Sequence, residues 1–168
     1  MKKLILFVTV MLALLLVSCS TVEIKEESTV TPSDYSVQET LDSLLASGHY
    51  SVIPIVYQNG SERELDEDYL DYYFGSSDLL EGIDSYIFVT SPNTNVNEMG
   101  VFKITDAKNR EMLIEAFNTR RENLIQTHTN YSAEDLAIAE NMIIADFDDI
   151  VYFIATPDNA FVEEIVKG

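Results

Sequence analysis

The chain has 168 residues, 46% of them apolar, and 29 carboxylates against 10 lysines and arginines, giving a formal charge of −19. So acidic a surface repels nucleic-acid phosphates and anionic lipid headgroups, which excludes DNA and RNA as partners. One cysteine excludes an internal disulfide, and 6 glycines leave little material for a loop that cradles phosphate.

Lys2 and Lys3 form a short positive segment, Leu4 to Val17 an apolar run, and small Ser18 precedes Cys19, the order of a secretory signal. Polar Ser18, Ser20, Thr21 and Glu23 end the run short of the roughly 20 residues a membrane-spanning helix needs. The string Leu16-Val17-Ser18-Cys19 resembles the lipobox of bacterial lipoproteins, in which the thiol takes a diacylglycerol and becomes the first mature residue. That resemblance implies a signal peptide over 1–18, lipid attachment at Cys19, and a place on the extracytoplasmic face of the cell membrane. Each buried CH₂ contributes about 0.8 kcal/mol, so two or more acyl chains make a firm anchor. Loss of Lys2 and Lys3 leaves eight bases against the same 29 carboxylates, a mature formal charge of −21. Within a Debye length of about 8 Å that charge would hold the domain off the bilayer. Residues 19–34, rich in Ser, Thr, Val, Glu and Lys with Pro32, read as a lipidated N-terminus and flexible tether, and 35–168 as one domain.

Within that domain, Ser36 and Glu39 have capping-box spacing, and Val37, Leu41, Leu44 and Leu45 share a helical face that ends near Gly48. Ser51 to Tyr57 is β-rich but holds Pro54, so it reads as an edge strand or an extended segment before the Asn59-Gly60 turn. Leu65, Tyr69, Tyr72 and Tyr73 predict a short helix stopped by Gly75. Ser85 to Thr90 and Glu98 to Ile104 read as strands, joined by a hairpin-type connection containing Asn93, Asn95 and Asn97. Thr105 or Asp106 caps a long helix from Ala107 to about Thr127, on which Leu113, Ile114, Phe117, Leu124 and Ile125 form the apolar stripe. Ser132 with Asp135 caps a further short helix through Ala139. Asn141 to Ala145 and Ile150 to Thr156 are strands around a solvated acidic turn at 146–149, and Pro157 opens a last helix. Strands in adjacent pairs separated by a long helix predict an α+β domain: an antiparallel or mixed sheet of about four strands with packed helices. Runs such as Tyr86-Ile87-Phe88-Val89 exclude a disordered acidic chain.

Asn97-Glu98-Met99-Gly100-Val101-Phe102-Lys103, then Arg120, Arg121, Gln126, Tyr131-Ser132-Ala133-Glu134 and Ile150-Val151-Tyr152-Phe153-Ile154, resemble the family catalogued as domain of unknown function 4358 over about Leu65 to Val166. Members of that family are mostly lipoproteins of Gram-positive Firmicutes. The resemblance implies a surface lipoprotein and assigns no activity. The family hairpin usually carries Gly-Asn before its last strand, where Asp148-Asp149 stands here.

Neither His49 nor His128 has a nucleophile motif around it, and both Gly-x-Ser-x-Gly and His-Glu-x-x-His are absent. Asp146, Asp148 and Asp149 offer oxygens of the kind Ca²⁺ takes, but without the spacing of an EF-hand loop. The scarce positive charge collects in Lys103, Lys108, Arg110, Arg120 and Arg121. At 100° per residue Arg121 projects between Phe117 and Ile125, and His128 falls close to Phe117, so both border the stripe. An unpaired buried guanidinium costs several kcal/mol. Such an arginine therefore pairs with a carboxylate of the domain, or presents its bidentate fork to an anionic ligand or a partner's carboxylate. Arg120, Arg121 and His128 are the candidate contacts. Tyr69, Leu70, Tyr72, Tyr73 and Phe74 either cover the sheet or, exposed together, form a partner-binding or carbohydrate-stacking surface.

These features point to a non-catalytic, lipid-anchored binding or protein-interaction module, held to the membrane through Cys19 and facing a protein partner in the cell envelope. The alternative is a small cell-envelope hydrolase whose site is assembled from scattered polar residues. No cofactor and no metal is implied.

Overall fold

A computed structural model describes residues 30–168. The expected signal peptide, Cys19 and the tether up to residue 29 lie outside the described residues. The described chain runs α1 (Val37–Ala46), β1 (Ile55–Gln58), α2 (Glu67–Phe74), β2 (Ile83–Thr90), β3 (Glu98–Ile104), α3 (Lys108–His128), α4 (Ala133–Glu140), β4 (Ile143–Phe147), β5 (Ile150–Ala155) and α5 (Asn159–Lys167). The domain is α+β. Its sheet has five strands rather than about four, all antiparallel, in the order β1-β2-β3-β5-β4. The added strand starts at Ile55, immediately after Pro54, where backbone donors are available again to pair with Ile87 to Thr90.

Several boundaries moved for local reasons. Asn141 closes α4 instead of opening β4, because its N–H is taken by the carbonyl of Ala137. The long helix has Ala107 at its N-cap with no side-chain cap bond. Asp106 serves one position upstream, accepting from the Lys108 N–H at 3.0 Å, while the Thr105 hydroxyl donates to Gly82 O. The last helix starts at Asn159 rather than Pro157, since Asp158 caps it by accepting from Phe161 N–H. The acidic turn is not wholly solvated. Asp149 is buried, accepts from both the N–H and the hydroxyl of Ser33, and lies 3.8 Å from the Lys103 ammonium.

Helices cover both faces of the sheet. Tyr86, Phe88, Phe102, Ile104, Val151 and Phe153 point to the face under α2, α3 and α4. Alternate residues Ile87, Val89, Met99, Val101, Ile150, Tyr152 and Ile154 meet Val37, Leu41 and Leu44 of α1 and Val162 and Val166 of α5. Burial on both sides explains why Ile150–Ala155 reads as an unbroken apolar run, every residue of it buried. The first core is aromatic. Phe117 and Phe153 lie with ring centroids 4.9 Å apart, and Phe74 touches Phe88, Phe102, Phe117 and Phe153. Gly100, opposite Phe153 in the β3–β5 register, admits these rings: a Cβ there would sit 2.5 Å from Phe153 and 2.8 Å from Phe102.

The chain enters the described domain at the end of the sheet where β3 finishes and β5 begins. Lys103 Nζ donates to the carbonyls of Ser33 (2.8 Å) and Tyr35 (3.1 Å), and Ser33 in turn holds Asp149.

Two outcomes are expected. Gly100→Ala should destabilise the fold by about 1–3 kcal/mol through overpacking, seen as a lower urea midpoint at unchanged slope; an unchanged midpoint would mean the rings move aside. Burial, reinforced by Tyr69, pushes the Tyr57 phenol up to about 12, and burial also raises Tyr50 and Tyr152. The folded state thus favours the neutral phenols. Their contribution is whole below the unfolded value of about 10 and is lost as pH rises through the folded values. The urea midpoint should therefore fall from about pH 10 to 12, and a flat profile would contradict this.

Candidate binding cleft

The β2–β3 connection is built by its own side chains. Ser91 Oγ accepts from Asn93 N–H at 3.1 Å and donates to Asn95 Oδ1 at 2.8 Å, while the Ser91 N–H reaches the Asn97 carbonyl. Val96 plugs the loop into the core, and its N–H donates to Asp135 Oδ1 at 2.8 Å. Asp135 sits in the first turn of α4, where its own N–H donates to the Ser132 cap. One carboxylate thus ties the loop to the helix.

Between this loop, the end of α2 and the second half of α3 opens a cleft of about 510 Å³. Its floor is the pair Arg120–Glu98. Arg120 Nε donates to Glu98 Oε1 at 2.8 Å and Nη2 to Oε2 at 2.7 Å, with side-chain exposures of 12% and 3%. The guanidinium also lies 4.7 Å from the centroid of the Tyr73 ring. Burial works against its charge, but the Glu98 carboxylate outweighs burial and raises the arginine above its usual value. Burial likewise raises Tyr73, with Arg120 opposing. Across the sheet the Tyr50 hydroxyl is buried without a hydrogen-bond partner among the described residues and is raised by burial and then by Glu98.

Of the sequence-predicted contacts, the cleft brings together Arg120 and His128 and leaves out Arg121. The buried line of α3 is Asn109, Leu113, Ala116, Phe117, Leu124 and His128, and Arg120 falls on that line, one turn after Phe117 and one before Leu124. Arg121 is half-buried beside it and donates to Asn118 Oδ1 at 2.6 Å, with no carboxylate partner among the described residues. His128 Nδ1 lies 3.7 Å from Asp135 Oδ2, too long for a hydrogen bond, and is buried without a hydrogen-bond partner among the described residues. His49 stands outside the cleft, 3.3 Å from Asn97 Oδ1, between Tyr50 and Phe161. Among the described residues neither histidine is hydrogen-bonded to a hydroxyl nucleophile. Cys19 lies outside the described residues.

The aromatic cluster on α2 divides between two roles. Leu70 and Phe74 are core, Tyr73 bridges core and cleft, and Tyr72 stands 72% exposed on the rim. Tyr131, 71% exposed, reaches the cleft from the α3–α4 turn. Sequence reasoning did not single out Glu98 or Asp135. The signal for Glu98 was a carboxylate directly before the uncharged run Met99 to Phe102; Asp135 carried none beyond its place in a capping box.

The fold and cleft define a small antiparallel α+β domain with an open cleft at one end of a sheet covered on both faces. A family model described as domain of unknown function DUF4358 matches residues 56–156, and the chain belongs to that family. The matched stretch takes in nearly the whole sheet and every residue of the cleft, and leaves α1 and α5 outside. No curated protein and no solved structure matches the chain.

Glu98→Gln leaves Arg120 buried without a counter-charge and should cost about 3 kcal/mol of stability in urea unfolding. Arg121→Leu should stay within about 0.5 kcal/mol of the parent. The reverse order would mean that Arg121, not Arg120, is the structural arginine.

Proposed function

We propose that this protein is a lipid-anchored lipoprotein of a Gram-positive cell envelope, held through Cys19, whose domain is a non-catalytic binding module acting through the cleft. The observation that carries the reading is the polarity of β3. At its Lys103 end the chain enters the domain through Ser33; at its Glu98 end, about 17 Å away at roughly 3.4 Å per residue, the cleft opens. A domain anchored from its N-terminal side would present that cleft away from the membrane. Among the described residues no helix is long and apolar enough to cross a membrane, so in this reading attachment falls to the lipid.

Binding is favoured over the alternative, a small cell-envelope hydrolase, because His128 faces a carboxylate and His49 an amide, while the cleft floor is a closed ion pair. Catalysis by general base needs the imidazole within reach of the group it deprotonates.

Two measurements test this. Cys19→Ser should lose radiolabelled palmitate and move from the membrane pellet to the soluble fraction; membrane retention after signal cleavage would overturn the anchor. A photoreactive benzoylphenylalanine at Tyr131 should give adducts in intact cells that the same group at Glu39, exposed on α1, does not give. Equal labelling at both positions would remove the cleft as the binding surface.

A further inference from the structure

The cleft is formally neutral and is lined by amides and hydroxyls, several of them without a hydrogen bond to another described residue, and by two exposed aromatic rings. From this geometry we infer that its ligand is a neutral carbohydrate, an inference that rests on the binding reading above. Among the described residues Arg120 is the only lysine or arginine lining the cleft, and two of its donors are already matched by Glu98, the only carboxylate among them that lines it. An anionic ligand finds no spare positive charge there and meets the field of a strongly acidic protein. A cationic ligand finds Glu98 already committed.

The remaining polar groups are of both kinds, donor and acceptor. The side chains of Asn93, Thr94 and Thr127 make no hydrogen bond to another described residue, and Asn95 uses only its carbonyl oxygen, towards Ser91. His128, more than nine-tenths buried in the cleft wall, makes no hydrogen bond from either ring nitrogen among the described residues. Amides and hydroxyls that both donate and accept match sugar hydroxyls, which do the same. A purely apolar ligand would cover these groups without satisfying them, at the full desolvation cost.

The apolar side of the recognition comes from Tyr72 and Tyr131. Each presents an exposed ring at the rim, a flat apolar surface with a polar tip, suited to the C–H face of a pyranose. A volume of about 510 Å³ lies within the range of small-ligand sites. It suits one or two sugar units of a longer chain running out past the tyrosines.

The chain has nine tyrosines and no tryptophan, so 3-fluorotyrosine labelling of the full chain in detergent gives few ¹⁹F resonances, assignable by single Tyr→Phe substitutions. The probes are chitotriose, maltotriose, inorganic phosphate and a tetra-alanine peptide, each at millimolar concentration. At least one trisaccharide should shift the Tyr72 and Tyr131 resonances saturably, and phosphate should shift neither. Tyr131→Ala should weaken that binding by roughly ten-fold or more at unchanged melting temperature, and Tyr69→Ala, outside the cleft, should leave it intact. Shifts from the peptide or phosphate alone would overturn the carbohydrate assignment and leave the cleft a binding site. No shift from either sugar overturns it as well: Tyr131 crosslinks in cells would then keep the binding reading, and their absence would remove both.

Discussion

Strands β3 and β5 are buried on both faces, so the charged groups at their ends have to be satisfied inside the protein. β3 begins at Glu98, whose carboxylate is held by Arg120 of α3, and its next-to-last residue is Lys103, whose ammonium reaches the carbonyls of Ser33 and Tyr35. The strand thus carries one charge cluster at each end, separated by an apolar centre in which Gly100 makes room for Phe153. The cleft lies at the first of those ends and the entry of the described chain at the second.

At the Glu98 end the pairing is coupled to loop and helix geometry. Arg120 can meet Glu98 only because the aromatic core sets the roll of α3, through Phe117 against Phe153 and Phe74. Tyr73 continues that core upward and closes over the guanidinium. Asp135 then pins the 91–97 loop through the Val96 N–H, so the cleft has a preformed wall. Preorganisation of this kind lowers the ordering cost of binding. At the Lys103 end, buried Asp149 does the corresponding work by holding Ser33, the last part of the chain before α1. The family match spans nearly all of the sheet and the cleft, whereas the α1–α5 layer that covers the other face lies beyond it.

Elements governed by one short-range rule are legible in the sequence. The Ser36–Glu39 cap and the Gly75 stop with its positive φ of 72° depend on neighbours a few residues away, and the run at Ile150–Ala155 is apolar at every position. The cleft was only half legible. The apolar stripe of α3 includes Ile114 and Ile125, which place its centre towards Arg121 by periodicity; packing on the sheet centres it on Ala116 and Phe117 and so selects Arg120. One residue is 100° of rotation, and periodicity alone does not resolve the phase when both flanks of the stripe are apolar.

The sequence by itself determined which segments become helix and strand, because propensity, capping and burial period act over a turn or two. Tertiary structure alone decided which charges meet. Arg120 and Glu98 are 22 residues apart, and Ser33 and Asp149 are 116 apart. Nothing local distinguishes Asp149 from its neighbours Asp146 and Asp148. The strand order that inserts β5 beside β3 carries it inward, to the one place where a hydroxyl, an N–H and an ammonium converge on its oxygens.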